Sequence, residues 1–233
     1  MSGDSNPVSS SQLHSHPQLG QLVRKHLQKP TQRPAASHSR EAFEGVRPLV
    51  EEKSLPLVFD SFCGTGMSTR LLAEKHPDCL VIGIDKSAHR LARHNSATPN
   101  NYLLVQADCG DFWRLALAAG WHLHKHYLLY PNPWPKRGQL KRRLQGSADL
   151  PALLALGGSI ELRSNWQVYV EEFGSALIVA GEYPRIDLLQ VEQPISLHEG
   201  KYAASGHSLW RCRCKLVHNT HLQNHCDANR EEQ

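Results

Sequence analysis

The sequence predicts one α/β domain over residues 46–217, a doubly wound and mostly parallel sheet with a terminal antiparallel strand. Three observations carry that expectation. Short apolar runs alternate with helical stretches, as in repeated βα units. Each of the first five runs gives way to a small acid or amide. The last run, near residue 210, alternates apolar and basic residues instead.

Leu55-Pro-Leu-Val-Phe-Asp60 is short, apolar and closed by an acid, the mark of a parallel strand covered on both faces. A Gly-rich turn follows, then a helix from Met67 to His76, stopped by Pro77. Leu80 to Asp85 is the second strand and Lys86 to Asn95 the second helix. Tyr102 to Asp108 is the third strand, with a helix running on to Gly120. Tyr127 to Pro131 is the fourth, leading straight into Asn132-Pro-Trp-Pro. Asp149 to Leu156 reads as a helix closed by Gly157-Gly158, Ser159 to Ser164 as a fifth strand, and Trp166 to Ala180 as a helix. Trp210, Cys212, Cys214 and Leu216 alternate with Arg211, Arg213 and Lys215, which fits a half-buried antiparallel strand near the end of the sheet. The whole is Rossmann-like.

At 233 residues the chain holds one such domain with tails. A core of this size buries roughly 70% of its unfolded surface, so it needs neither disulfides nor metal. Residues 1–45, rich in Ser, His, Pro and Gln, read as a flexible, slightly basic arm, and residues 218–233 as a disordered polar tail. The tail's His218, His221, His225 and Cys226 are too loosely spaced to predict a metal site. All six cysteines read as reduced, packed thiols. No apolar run reaches the roughly 18 residues of a membrane span, and the start lacks the basic and apolar regions of a secretory signal. The expected setting is the cytoplasm, with no membrane partner, as a monomer or weak homodimer. A net charge of +4 suits a polyanionic partner without requiring one.

Open parallel sheets bind ligands outside the carboxyl ends of their strands. Asp60, Asp85, Asp108, Asn132 and Asn165 all fall at such ends. Helix capping explains one or two of them; five on one edge are better explained by a binding crevice. In the first turn, Gly64 and Gly66 let the backbone pass close to a ligand. The third glycine of a dinucleotide fingerprint is missing, and Thr69 stands in its place. A cofactor without a pyrophosphate therefore fits better than NAD: S-adenosyl-L-methionine, an adenosine joined to a sulfonium amino acid. Asp85 can accept from both ribose hydroxyls, Asp108 from the adenine amine, and Asp60 can face the ammonium.

The most specific segment is Tyr130-Pro-Asn-Pro-Trp-Pro-Lys136, followed by Arg137, Lys141, Arg142 and Arg143. It resembles the tRNA (guanine-N7)-methyltransferase family, whose fourth strand ends in an aromatic-Pro-Asp-Pro-Trp-Pro-Lys motif and a basic run. Asp60, Gly64, Gly66, Asp85 and Asp108 match the family's cofactor positions in order. Ser164-Asn165-Trp166 with Tyr169 is similar to its Thr-Asp segment, and Ser196-Leu-His-Glu199 to its Thr-x-aromatic-Glu motif. Gly206-His207 and Trp210 also fall at family positions, and the likeness spans residues 55 to 217.

The resemblance implies a class I methyltransferase acting on tRNA, with Asn132 as the catalytic or cofactor-facing group. It implies Lys136, Asn165, Ser196 and Glu199 as substrate-binding. The basic run and Trp134 are the expected RNA contacts, through phosphates and base stacking; Trp134 can equally pack under its loop. The chain departs from the family at four places. Phe62 stands for a glycine, Asn132 and Asn165 for aspartates, and His198 for an aromatic.

Guanine N7 carries a lone pair and no proton, so methyl transfer to it needs no general base, only alignment. An asparagine keeps one acceptor oxygen and loses the charge. Three readings therefore stay open: guanine-N7 methylation of tRNA, methylation of another acceptor (an exocyclic amine among them), and RNA binding with cofactor affinity but no catalysis.

Overall fold

The structure is a computed structural model, and it describes residues 5–216. Two helices precede the sheet, α1 (Leu19–Gln28) and α2 (Ser37–Lys53). The βα units follow: β1 (Leu57–Ser61), α3 (Met67–Lys75), β2 (Leu80–Asp85), α4 (Ala88–Leu91), β3 (Tyr102–Gln106), α5 (Cys109–Ala118) and β4 (Leu123–Leu129). Two short 3-10 turns, Arg137–Arg142 and Leu144–Gly146, lead to α6 (Leu150–Ala155) and β5 (Ser159–Ser164). The chain closes with α7 (Gln167–Val179), β6 (Arg185–Leu188), α8 (Leu197–Ala204) and β7 (Trp210–Lys215).

The strands form a seven-stranded sheet in the order β3-β2-β1-β4-β5-β7-β6. β1 to β5 are parallel to one another, and β7 is antiparallel to both β5 and β6. Every residue of β1 and β2 is buried, as continuous apolar runs require at the centre of a doubly wound sheet. One face carries the larger core, where Phe43 of α2 and Phe112 of α5 pack around Phe59 and Trp121. On the other face α3 covers a smaller core of Val58, Leu72, Val81 and Tyr127.

The expected elements are present, with four differences. The mobile arm expected up to residue 45 contains α1 and α2, whose Leu19, Val23, Phe43 and Val50 join the main core. Their apolar residues are spaced one helical turn apart amid polar ones, so they make no run. The Lys86–Asn95 helix shrinks to one turn, capped by the Ser87 hydroxyl. β4 starts at Leu123, because its polar His124 and Lys125 reach the rim of the sheet. Finally, β6 and α8 arise from a stretch without clear periodicity. The five described cysteines are free and buried, as expected. The tail from residue 218, with its three histidines and Cys226, lies outside the described residues.

Candidate active site

The sheet order sets the five strand-end residues side by side: Asp108, Asp85, Asp60, Asn132 and Asn165 lie at or just beyond the carboxyl ends of β3, β2, β1, β4 and β5. The crossovers change direction between β1 and β4, the switch point where such sheets open a crevice.

Asp60 is fully buried, and its Oδ2 accepts from Ser68 Oγ at 2.6 Å and Thr69 Oγ1 at 2.8 Å. Its Oδ1 is buried and has no partner among the described residues. Burial raises its pKa to about 6, against the downward pull of the two hydroxyls. A buried carboxylate with an unspent oxygen holds a place for a cation.

The turn after β1 is left-handed at three places, Phe62 (φ 65°), Gly64 (φ 62°) and Gly66 (φ 75°). A Cβ on Gly66 would lie 2.5 Å from Leu104 Cδ1, so any side chain there would force Leu104 to move and would strain a left-handed backbone. At Gly64 a Cβ would meet open space, so this backbone faces the crevice. Phe62 keeps a glycine-like conformation without being glycine, at a cost of about 1–2 kcal/mol. Its ring meets Trp113 edge to face at 6.0 Å.

Asp85 fastens this turn. Its Oδ2 accepts from Gly64 N at 3.0 Å, and its Oδ1 from Ser87 N at 2.8 Å and the Arg90 guanidinium at 2.9 Å. It is 1% exposed, whereas the Arg90 side chain above it is 45% exposed and can swing away. Asp108 caps α5 through Asp111 N, and its side chain is 45% exposed at the crevice rim.

The loop after β4 is strained at both ends, with Tyr130 at φ 52° and Trp134 at φ 47°. The Asn132 carboxamide oxygen accepts from Trp134 N at 3.2 Å, and the residue is exposed. Tyr130 donates its hydroxyl to Glu199 Oε1 at 2.8 Å. Burial and the neighbouring Glu199 push that hydroxyl well above its ordinary pKa, so it stays a donor.

Asn165 sits half-buried beside His207, Nδ2 to Nδ1 at 3.1 Å, and His207 Nε2 lies 2.8 Å from the Ser5 carbonyl. The carbonyl can only accept, so Nε2 carries the proton and Nδ1 accepts from Asn165. Asn165 Oδ1 is thereby left for a ligand.

Three expected ligand contacts belong to the fold instead. Arg143 is 0% exposed and cannot reach RNA phosphates: it pairs with both oxygens of Glu172 and donates to Gln12 Oε1 and the Trp134 carbonyl. Ser196 caps α8 by accepting from Glu199 N at 3.1 Å. Glu199 is 0% exposed and holds Tyr130, Arg163 and Ile195 N. These two residues fix α8 against the ends of β4 and β5, and the Glu199 carboxylate is fully engaged in doing so. Lys136, Arg137, Lys141 and Arg142 remain exposed on the rim, with the Arg142 guanidinium 5.0 Å from the Trp134 ring. Trp134 is thus a half-buried platform under a cation.

Sequence reasoning missed Glu172, Gln12 and Arg163. Glu172 and Gln12 meet partners far along the chain, and Arg163 reaches Glu199 36 residues on as well as the nearby Glu161, so no local pattern signals the set. The Ser196-x-x-Glu199 spacing could have been read as a helix start. Among the described residues no His, Cys, Asp and Glu cluster could hold a metal ion, and no helix is long and apolar enough to cross a membrane.

Residues 54–211 match the profile of a family described as "Putative methyltransferase". A tRNA (guanine-N(7)-)-methyltransferase of Pseudoalteromonas atlantica is 25% identical over 173 residues, 68% of this chain and 71% of that one. Another of the same name from Acidovorax sp. is 27% identical over 173 residues, 68% of this chain and 67% of its own. The solved 16S rRNA methyltransferase KamB superposes with a TM-score of 0.56 at 17% identity, over 73% of this chain and 93% of that chain. The antibiotic-resistance methyltransferase Kmr does so with 0.52 at 20% identity, over 73% and 92%. These two structures establish the class I methyltransferase fold. Since the profile spans well over half of the sequence and agrees with the sheet order and the strand-end acids, the chain belongs to this family of methyltransferases.

Proposed function

We propose that the chain is an S-adenosyl-L-methionine-dependent methyltransferase that places a methyl group on guanine N7 of tRNA. The observation that carries the cofactor is the buried Asp60 Oδ1, without a partner among the described residues, four residues before the open backbone of Gly64. Those residues fit the group: Asp60 would take its ammonium, the Gly64–Gly66 backbone its amino-acid part, Asp85 its ribose and Asp108 its adenine amine. Asp85 does so once Arg90 has moved off its carboxylate. The cofactor, when bound, supplies a methyl on a positively charged sulfur. The names of the relatives from Pseudoalteromonas and Acidovorax supply the acceptor.

The chain's own residues then have to align an acceptor that needs no deprotonation. Asn165 Oδ1 can accept from the guanine N1–H and exocyclic amine, with Asn132 beyond the end of the neighbouring strand β4. Lys136, Arg137, Lys141 and Arg142 would hold phosphates around the site, and Trp134 would offer a ring to a base.

Incubating the protein with tRNA and methyl-labelled cofactor, then digesting to nucleosides for mass spectrometry, tests this. Labelled N7-methylguanosine is the expected product. A different labelled nucleoside would move the reaction to another acceptor, and no label at all would leave a binding protein.

A further inference from the structure

The sheet is covered unequally at its β6 edge. α7 packs on the face that holds Ile160, Leu162, Cys212 and Cys214. Side chains alternate along a strand, so Glu161, Arg213 and Arg185 point to the opposite face. There a groove of about 380 Å³ opens at the amino ends of β4 and β5. Its walls carry Lys125, Arg185, Arg213 and Lys215 against the single carboxylate of Glu161.

The electrostatics of the groove are unsatisfied. Lys125 pairs with Glu161 at 3.1 Å, and Arg213 with Asp187 at 2.7 Å. Arg185 stands directly opposite Arg213 across β6 and β7, a like-charge register that weakens a sheet. Neither Arg185 nor Lys215 has a carboxylate partner among the described residues, and both are exposed. Two uncompensated cations in one groove are a concentration for a chain whose net charge is +4. Tyr183 lines the same groove and is 88% exposed, so its ring adds almost nothing to the core.

The groove lies within reach of the candidate site. Glu161 and Asn165 are on one strand and its exit, about 13 Å apart along the chain. A bonded path links the two places: Lys125 to Glu161, Glu161 to Arg163, Arg163 to Glu199, and Glu199 to Tyr130.

We propose that this groove is a second RNA-contact surface, which takes phosphates of the RNA on Arg185 and Lys215 and stacks a base on Tyr183. The proposal rests on the RNA-methylating function proposed above. Acidic peptide would satisfy the cations but would leave the exposed ring without a role, and RNA satisfies both.

The test is tRNA binding by filter retention across a potassium chloride series, on wild type, the double variant Arg185→Ala/Lys215→Ala, and Tyr183→Ala. Two lost phosphate contacts should lower the log–log salt slope by about 1.4–1.8. Tyr183→Ala should weaken binding severalfold and leave the slope alone, because stacking releases no counterions. The substituted side chains are exposed, so matching thermal melts should show that both variants fold. An unchanged slope in the double variant overturns the groove while leaving the methyltransferase reading intact. A reduced slope, with no methylated nucleoside from wild type, upholds the groove and overturns that reading. A double variant that loses polyglutamate binding and keeps its RNA binding also overturns the proposal.

Discussion

The carboxyl edge of the sheet is built in two ways. Beyond β1, β2 and β3 the polar groups are carboxylates bonded to backbone and hydroxyls within about twenty residues: Asp60 to Ser68 and Thr69, Asp85 to Gly64 and Ser87, Asp108 to Asp111. Beyond β4 and β5 the groups facing the crevice are amides, and the carboxylates have withdrawn into buried ion pairs, Arg143 with Glu172 and Arg163 with Glu199. One half keeps negative charge where a cationic cofactor would sit. The other keeps its carboxylates only in internal braces and shows exposed cations on its rim, so it can shape an acceptor pocket but offers it no negative charge.

The largest effect should come from breaking a brace. Glu172→Ala would strand Arg143, which is 0% exposed, and would free Gln12 and the backbone of His16. Removing one partner of a buried pair costs about 3–5 kcal/mol. Urea unfolding should show that loss, with faster proteolysis near residues 5–16. Glu172→Gln should cost less, because the amide oxygen still accepts. A loss under 1 kcal/mol for the alanine variant would mean the brace is dispensable.

Next comes Asp60, where pH separates the two halves. Its pKa is about 6 in the folded protein against 3.8 for an ordinary aspartate. The folded state therefore binds the proton more tightly. The stability this lends, about 3 kcal/mol, is complete below pH 3.8 and lost as pH rises through 6. Cofactor binding should run the other way, since an ammonium needs the ionised form. From pH 7.5 to pH 5 the affinity should fall about tenfold. Asp60→Asn should bind weakly and flatten the dependence. Calorimetry over that range checks both, and an equally steep profile in the variant would remove Asp60 from the cofactor site.

How much could be read in advance follows the same division. The βα units from β1 to β3 and the glycine turn were legible because local runs and turn residues create them. Arg143 was misread as an RNA contact because it closes a basic run, and only the fold reveals a carboxylate 29 residues away that buries it. Glu199 and Ser196 were misread similarly: a helix cap and a brace look like ligand groups until α8 is placed. Helices α1 and α2 escaped because each shows the core only a thin apolar stripe.

The two amides give a smaller and more specific test. Asn132→Asp and Asn165→Asp would each return a charge to the half that lacks one. If guanine is the acceptor, each should raise kcat/KM on tRNA about tenfold, or ~1.4 kcal/mol, by supporting the purine cation that forms. Asn165 carries an added condition, because its Nδ2 donates to His207 Nδ1. A carboxylate cannot donate to Nδ1, so Asn165→Asp gives up that hydrogen bond and should gain less than Asn132→Asp. Reversions that lower the native reaction would show a pocket rebuilt for another acceptor.

The smallest effect concerns the basic rim, and it separates positive residues that look alike in sequence. Lys141 and Arg142 are exposed, whereas Arg143 next to them is sealed inside. Lys141→Ala/Arg142→Ala should leave stability within about 0.5 kcal/mol of wild type, as surface changes usually do. It should also lower the salt slope of tRNA binding by about 1.4–1.8, one step for each lost phosphate. Arg142 additionally lies over the Trp134 ring, so its single variant should lose slightly more affinity than Lys141→Ala at equal slope. Arg143→Ala should do the reverse, destabilising the fold while leaving the slope unchanged in whatever protein remains folded. Binding across a salt series, paired with urea unfolding of the same samples, separates a cation that meets RNA from one that holds the loop in place. If Arg143→Ala alone changed the slope, the loop would have to open on RNA and the burial of Arg143 would be a property of the free protein only.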